Sequence, residues 1–226
     1  MAMIGQQQLD FDQNIYYQLY PHLLRGKRIP NLIGVYGLTS SGKKTFCAKL
    51  RDALSNDGWY TSTYTSDLFF KYTKQDRINM IESSRNGSDP DPDVLKEAFS
   101  IRGQELDEDL ARLSKGDSVF REGMYKRLTG ELYATFSIDM PCRQSTVIIM
   151  EGMWLSGFRK HFNAMVRVEA PYEVRRERHK QRVAKSLTPV TSVSIENLDR
   201  MLEADIFKNW NLKDIVVRSD EGFQLG

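Results

Sequence analysis

Asn31-Leu-Ile-Gly-Val-Tyr36 runs straight into Gly37-Leu-Thr-Ser-Ser-Gly42-Lys43, and from these two segments the architecture can be read. The first is short, apolar and β-branched, and it is bounded by Pro30 and Gly37, which predicts a buried strand. After the second, Lys43–Ser55 carries Phe46, Leu50 and Leu54 at helical spacing and closes at the turn signal Asn56-Asp57-Gly58. The G-x-x-x-x-G-K pattern therefore lies between a strand and a helix. Its glycines let backbone N–H groups wrap phosphate oxygens, the new helix adds its positive end, and Lys43 reaches the terminal phosphates. Gly37, Leu38, Thr39, Ser40, Ser41, Gly42, Lys43, Lys44 and Thr45 are thus predicted to hold a nucleoside triphosphate. A plain glycine turn would not account for a lysine at position 43. A dinucleotide-binding turn would need G-x-G-x-x-G, which Gly34, Gly37 and Gly42 do not supply.

One position departs from the pattern. The residue after Lys43 is expected to be Ser or Thr, whose hydroxyl binds Mg²⁺, and here it is Lys44. Either Thr45 brings its hydroxyl into reach, or carboxylates hold the metal, or catalysis is impaired.

Further strands and helices alternate along the chain. Upstream, Asp12–Leu24 is amphipathic, interrupted at Pro21 and followed by the basic run Arg25–Arg28, a helix in an N-terminal extension over 1–30. Downstream, Trp59–Ser66 reads as a second strand, and Ser83–Asp93 (SSRNGSDPDPD) as a loop preceding a helical segment, Val94–Lys115. Val147–Met150 and Ala164–Val168 read as buried strands, and Pro171–Lys185 as an arginine-dense helix. Ser186–Ser194 reads as a loop, Ile195–Phe207 as a helix and Ile215–Val217 as a last strand. The alternation predicts an α/β domain over 31–226, of the P-loop NTPase type. Three layers are expected, a mainly parallel sheet covered by helices on both faces.

Lys and Arg number 32 against 30 Asp and Glu, a net charge of +2, so nothing argues for nucleic acid or an anionic membrane surface. No apolar run approaches a membrane span, and the Gln-rich start lacks a signal pattern, so a cytoplasmic protein is expected. Cys47 and Cys142 form no metal-type spacing and need not pair. His22, His161 and His179 are too scattered to make a metal motif.

In open α/β sheets the chemistry gathers beyond the carboxyl ends of the strands. Asp67 ends the second strand, in Ser66-Asp67-Leu68-Phe69-Phe70, and Glu151 ends the third, in Val147-Ile-Ile-Met-Glu151-Gly152. Phosphoryl transfer needs an acceptor for the attacking hydroxyl's proton and a carboxylate to position Mg²⁺, and these two acids suit those roles. As plain structure, each could instead cap a helix or sit solvated in a loop.

Together, Asp-x-Phe-Phe after the second strand, the strand ending in Glu-Gly and the phosphate loop resemble the uridine kinase family of P-loop kinases. Phosphoribulokinase and bacterial pantothenate kinase are more distant relatives. The likeness runs from about Asn31 to Val217. It implies Asp67 as general base toward a sugar or alcohol hydroxyl and Glu151 as a magnesium-site carboxylate, to which Thr45 of the loop is added as the other expected metal ligand. It also implies an acceptor-side insertion over 83–145 and a lid region over 171–194. Asp89-Pro-Asp91-Pro-Asp93 looks like the family's acceptor-binding His-Pro-Asp, with Asp91 as the retained acid and the histidine missing. Gly123-Met-Tyr125-Lys126 resembles its Pro-x-Tyr-Asp, with Tyr125 kept for the acceptor. Gly130 falls where a nucleoside-contacting histidine is expected.

Arg175, Arg178 and Arg182 share one helical face. The resemblance implies that lid arginines neutralise the transferring phosphoryl group, a role expected of Arg178 and Arg182. As pattern alone, they are a solvated basic face paired with Glu173 and Glu177. The expectation is an ATP- and Mg²⁺-dependent kinase acting on a hydroxyl of a nucleoside-like small molecule, with a homo-oligomer allowed. Its rivals are a kinase of a pantothenate-like or sugar-phosphate acceptor and a degenerate, regulatory nucleotide binder. A conformational switch is disfavoured, because no guanine-reading Asn-Lys-x-Asp motif is present.

Overall fold

The structure is a computed structural model that describes residues 15–24, 29–85, 87, 89–139, 145–185, 193–208, 211, 213–220 and 223–225. Strand β1 (Asn31–Tyr36) is buried at every position and lies at the centre of a six-stranded sheet. The others are β2 (Tyr60–Thr65), β5 (Thr146–Glu151), β6 (Ala164–Glu169), β7 (Ile215–Arg218) and β8 (Gln224–Leu225), in the spatial order β2-β5-β1-β6-β7-β8. All neighbours pair in parallel except β7 and β8. A parallel sheet buries both faces, which is why Leu32–Tyr36 and Val147–Met150 read as near-continuous apolar runs.

Successive side chains of a strand point to opposite faces, and the core divides accordingly. Ile33, Val35, Val147 and Ile149 pack with Phe46, Leu50 and Leu54 of helix α1 (Lys43–Asn56). Ile15, Leu19 and Leu23 from the helical stretch at 15–19 and the turn Tyr20–His22 join them. Asn31 ties that stretch to β1, its side chain accepting from the Leu24 N–H (2.7 Å) and donating to the Leu24 carbonyl. On the opposite face Leu32, Tyr36, Ile148 and Met150 meet Phe69, Phe99, Leu106, Leu110 and Leu198. Helices thus cover both faces of the sheet. Tyr36 donates to Asp214, which also pairs with Arg159, and burial together with that carboxylate raises the phenol well above its ordinary pKa.

Three elements depart from the sequence reading. Helix α2 (Lys74–Ser83) was not anticipated, although Thr73 and Asp76 form a reciprocal cap at its start. The segment Val94–Lys115 is not one helix. It divides into α3 (Pro92–Ala98) and α4 (Gly103–Leu113), because the linking residues bond to the chain after β2 instead. There Ile101 bridges Phe70, and the Arg102 N–H donates to the Phe69 carbonyl at 2.7 Å. Strands β3 (Val119–Lys126) and β4 (Glu131–Ile138) form a separate hairpin, irregular between Arg121 and Met124. Arg121 anchors it to α4 through the buried Asp109. Helices α5 (Tyr172–Val183) and α6 (Ile195–Lys208) follow the sequence reading closely. The expected loop 186–194 lies mostly outside the described residues, as do Cys142 and the start of the N-terminal helix. No helix among the described residues is long and apolar enough to cross a membrane.

Candidate functional site

The chain leaves β1 through Gly37 at φ 148°, where a Cβ would come within 2.2 Å of the Val168 carbonyl oxygen. No other residue fits between the loop and β6. Ser40 and Gly42 are also left-handed, at φ 63° and 98°, and Gly42 caps α1. The buried hydroxyls of Ser40 and Ser41 have no partner. Buried polar atoms without partners are uncommon and call for an explanation, and beside a glycine-rich loop that opens on a cavity a bound anion would supply it. Lys43 folds back over the loop, its Nζ donating to the carbonyls of Gly37 (2.8 Å) and Leu38 (2.9 Å). Burial lowers its pKa, while Glu151 and Asp67 pull it back up.

Asp67 lies in the 3₁₀ turn Ser66–Phe69, where its N–H donates to the Thr65 hydroxyl at 3.2 Å. Glu151 ends β5, the strand paired with both β1 and β2, opposite Val35 on one side and Thr65 on the other. Gly152 allows the close approach of these strand ends, since a Cβ there would lie 1.8 Å from the Ser66 hydroxyl. Burial and the neighbouring Glu151 push Asp67 up to about 7, against the pull of Arg77, Lys43 and Arg182. Arg127 approaches it at 3.5 Å.

A cavity of about 730 Å³ joins these groups. Thr39, Ser40, Ser41, Gly42, Lys43, Lys44 and Thr45 form one wall with Glu151 and Met153. Phe70, Lys74, Arg77, Tyr125 and Arg127 form another, with Asp67 and Arg182 also reaching in. Gly37 and Leu38 face a smaller cavity of about 350 Å³ behind the loop, beside Val168 and Arg175.

Lys44 and Thr45 are exposed on the first turn of α1. Glu151 Oε1 is buried without a partner. No cluster of three or more His, Cys, Asp or Glu side chains that could hold a metal occurs among the described residues. The partnerless Glu151 oxygen, lining one cavity with the Thr45 hydroxyl, fits Mg²⁺, which is usually held by one or two carboxylates together with substrate phosphates and water. Glu151 and Thr45 are the residues here that could contribute.

Several expected site residues lie elsewhere. Asp91 is the N-cap of α3, its carboxylate accepting from the N–H groups of Asp93 (2.9 Å) and Val94 (3.2 Å), and it does not line the cavity. Its neighbour Asp89 accepts from Asn197 of α6. Asp91→Ala should therefore cost stability of about 0.5–2 kcal/mol and leave the KM for an acceptor unchanged, as denaturant melts and initial rates would show. Arg178 donates to Ser219 and to the Ser40 carbonyl (3.4 Å), bracing the loop from behind. Arg175 is buried against Asp199 of α6 at 2.7 Å. His161 meets Asp107 and His179 meets the Val193 carbonyl.

Lys74, Arg77 and Arg127 went unnoticed in the sequence, and Phe70 entered only as part of the Asp-x-Phe-Phe stretch. The available signal was Arg77 one turn before Ile81, on the face that α2 buries.

No family model matches the chain, and no curated protein does. Solved structures do. A candidate fructose transport system kinase from Silicibacter sp. TM1040 is 17% identical, with a TM-score of 0.61 over 84% of this chain and 93% of that one. A possible uridine kinase from Bacillus stearothermophilus is 15% identical, with a TM-score of 0.60 over 96% and 99%. D-glycerate 3-kinase from Cryptococcus neoformans var. grubii serotype A is 15% identical, with a TM-score of 0.53 over 100% of each chain. At such identities the likeness carries architecture alone: this chain has the α/β fold of the uridine kinase-like P-loop kinases.

Proposed function

We propose that the chain is an ATP-dependent kinase that transfers the γ-phosphate to a hydroxyl of a small molecule. The observation that carries this reading is the single cavity joining the partnerless Ser40 and Ser41 hydroxyls, Lys43, Asp67 and Glu151. The loop N–H groups and the end of α1 cradle the phosphates. Lys43 exchanges the Gly37 and Leu38 carbonyls for phosphate oxygens. Asp67, ionised above about pH 7, takes the proton of the attacking hydroxyl at its carboxylate. Arg182, inside the cavity, offsets charge on the transferring group, whereas Arg178 keeps the loop in shape. Glu151 and Thr45 would hold Mg²⁺, which draws charge off the phosphates when bound.

Tyr125 stands in the cavity as an aromatic wall, which supports an acceptor-binding role for it. A nucleotide-binding protein without turnover is the second reading, favoured by Lys44 in place of the metal-binding hydroxyl. ATP consumption by the purified protein, measured across nucleosides, sugars, sugar phosphates and hydroxy acids, decides between them. The expected result is acceptor-dependent ADP release with one class. Tight ATP binding with no release for any acceptor would leave the second reading standing.

A further inference from the structure

Arg77 occupies the buried face of α2 and is 2% exposed. Its guanidinium carbon lies 4.0 Å from the centre of the Phe70 ring and 4.6 Å from that of Tyr125, two rings set at 87° to each other. The cation thus sits in an aromatic corner, and the side left open belongs to the cavity. Its Nε has no hydrogen-bond partner. Its other nitrogens meet the Tyr125 hydroxyl and it feels the charge of Asp67, but among the described residues no carboxylate lies within ion-pair distance of it. A buried charge is normally paired, because desolvation costs more than stacking on rings returns. As packing alone, the position would be served as well by an apolar side chain, and no cation would need to reach the cavity.

The surroundings point the same way. Lys74 begins α2, its N–H donating to the Gly130 carbonyl of the hairpin turn at 2.6 Å, and its side chain lines the same wall. Arg127 opens that turn and lines it too, 3.5 Å from Asp67. The triphosphate accounts for Lys43, Lys44 and Arg182 on the loop side. It leaves Lys74, Arg77 and Arg127 facing Asp67 on the acceptor side, an excess of positive charge that a neutral molecule would not offset.

We propose that Arg77, flanked by Lys74 and Arg127, binds an anionic group of the acceptor, so that the substrate is a hydroxy acid or a phosphorylated sugar rather than a neutral nucleoside. The inference rests on reading this cavity as a kinase acceptor site. A planar guanidinium held by its rings presents N–H groups in a fixed fork, which suits either a carboxylate or a phosphate monoester.

The test titrates protein loaded with a non-hydrolysable ATP analogue with D-glycerate, ribose 5-phosphate and uridine, and repeats the acceptors in turnover with ATP. One of the two anions should bind and be phosphorylated, and uridine should not. Arg77→Met should weaken that anion about ten- to a hundredfold with ATP-analogue affinity unchanged. Arg77→Lys should recover part of the loss. If Arg77→Met does not fold, Lys74→Met gives the same readout with a smaller loss. Uridine used in preference to both anions, neither anion binding, or anion affinity untouched by these variants would each overturn the proposal. Anion binding that depends on Arg77 without any ATP turnover would instead remove the kinase reading and leave the anion subsite in place.

Discussion

Asp67→Asn is expected to lower kcat at least about a hundredfold while ATP affinity stays within a fewfold of the parent protein's. The amide keeps the size of the carboxylate and some of its hydrogen bonding but cannot take a proton. Asp67 stands beyond the end of β2 and not on the phosphate loop, so its loss is expected to fall mainly on the hydroxyl and much less on the nucleotide. The pH dependence follows from its environment. Burial and Glu151 raise the carboxyl to about 7, so kcat/KM should climb through an apparent pKa near that value, and the climb should vanish in the Asn variant.

Stability moves the other way. The unfolded chain releases this proton near 3.8 and the folded chain holds it until about 7, so the folded state binds more protons between those values. The stability this confers is complete below the lower value and is lost as pH rises through the upper one. Asn cannot ionise. The variant should therefore melt at or above the parent's temperature at about pH 8, with the difference narrowing toward about pH 5. A folded variant with unaltered kcat on the best acceptor would show that Asp67 is not the base.

Lys43→Ala should abolish turnover and weaken binding of a non-hydrolysable ATP analogue by on the order of ten- to a hundredfold. The ammonium already bonds to the Gly37 and Leu38 carbonyls, so its donors sit over the loop before any nucleotide arrives. It holds its charge in a site where burial works against it, helped by Glu151 and Asp67. Removing it relieves that penalty as well as breaking the loop contacts, and the melting temperature should move little. Calorimetric titration checks the affinity and circular dichroism the fold. Near-normal affinity for the analogue would overturn the phosphate cradle.

The parts of this molecule that were legible in the sequence are those whose chemistry is local. NLIGVY and TVIIME are buried throughout and AMVRVE is buried up to Val168, and such burial leaves a largely apolar stretch that reads as a strand even where, as at Arg167, one charged residue interrupts it. The loop was legible because a glycine spacing and a lysine are stated in consecutive residues. Asp67 and Glu151 could be singled out as candidates because one follows a strand closely and the other ends one. The hairpin was missed because β4 buries little of its length, so its pattern is diluted by exposed residues. Helix α2 was missed because it buries Arg77 and Ile81, and an arginine on the inner face breaks the apolar stripe. Asp91 was placed in the acceptor site from motif likeness. Its position before Pro92 and the start of a helix is equally the signature of a cap, and the cap is what the carboxylate forms. Partners distant in sequence, such as Asp67 with Arg127, leave no trace in local pattern.

The placement of β5 between β1 and β2 has a metric consequence. The phosphate loop follows β1 and the candidate base follows β2, so two interstrand spacings separate them, roughly 10 Å in all. Adjacent strands would leave half that distance, too little for a terminal phosphate and an incoming hydroxyl to lie end to end. With β5 interposed, Glu151 stands at the midpoint, in register with Val35 and with Thr65. The gap between donor and acceptor is therefore set by backbone hydrogen bonds along two ladders. Side-chain substitutions can alter what binds at either end while the span across which a phosphoryl group would travel stays the same.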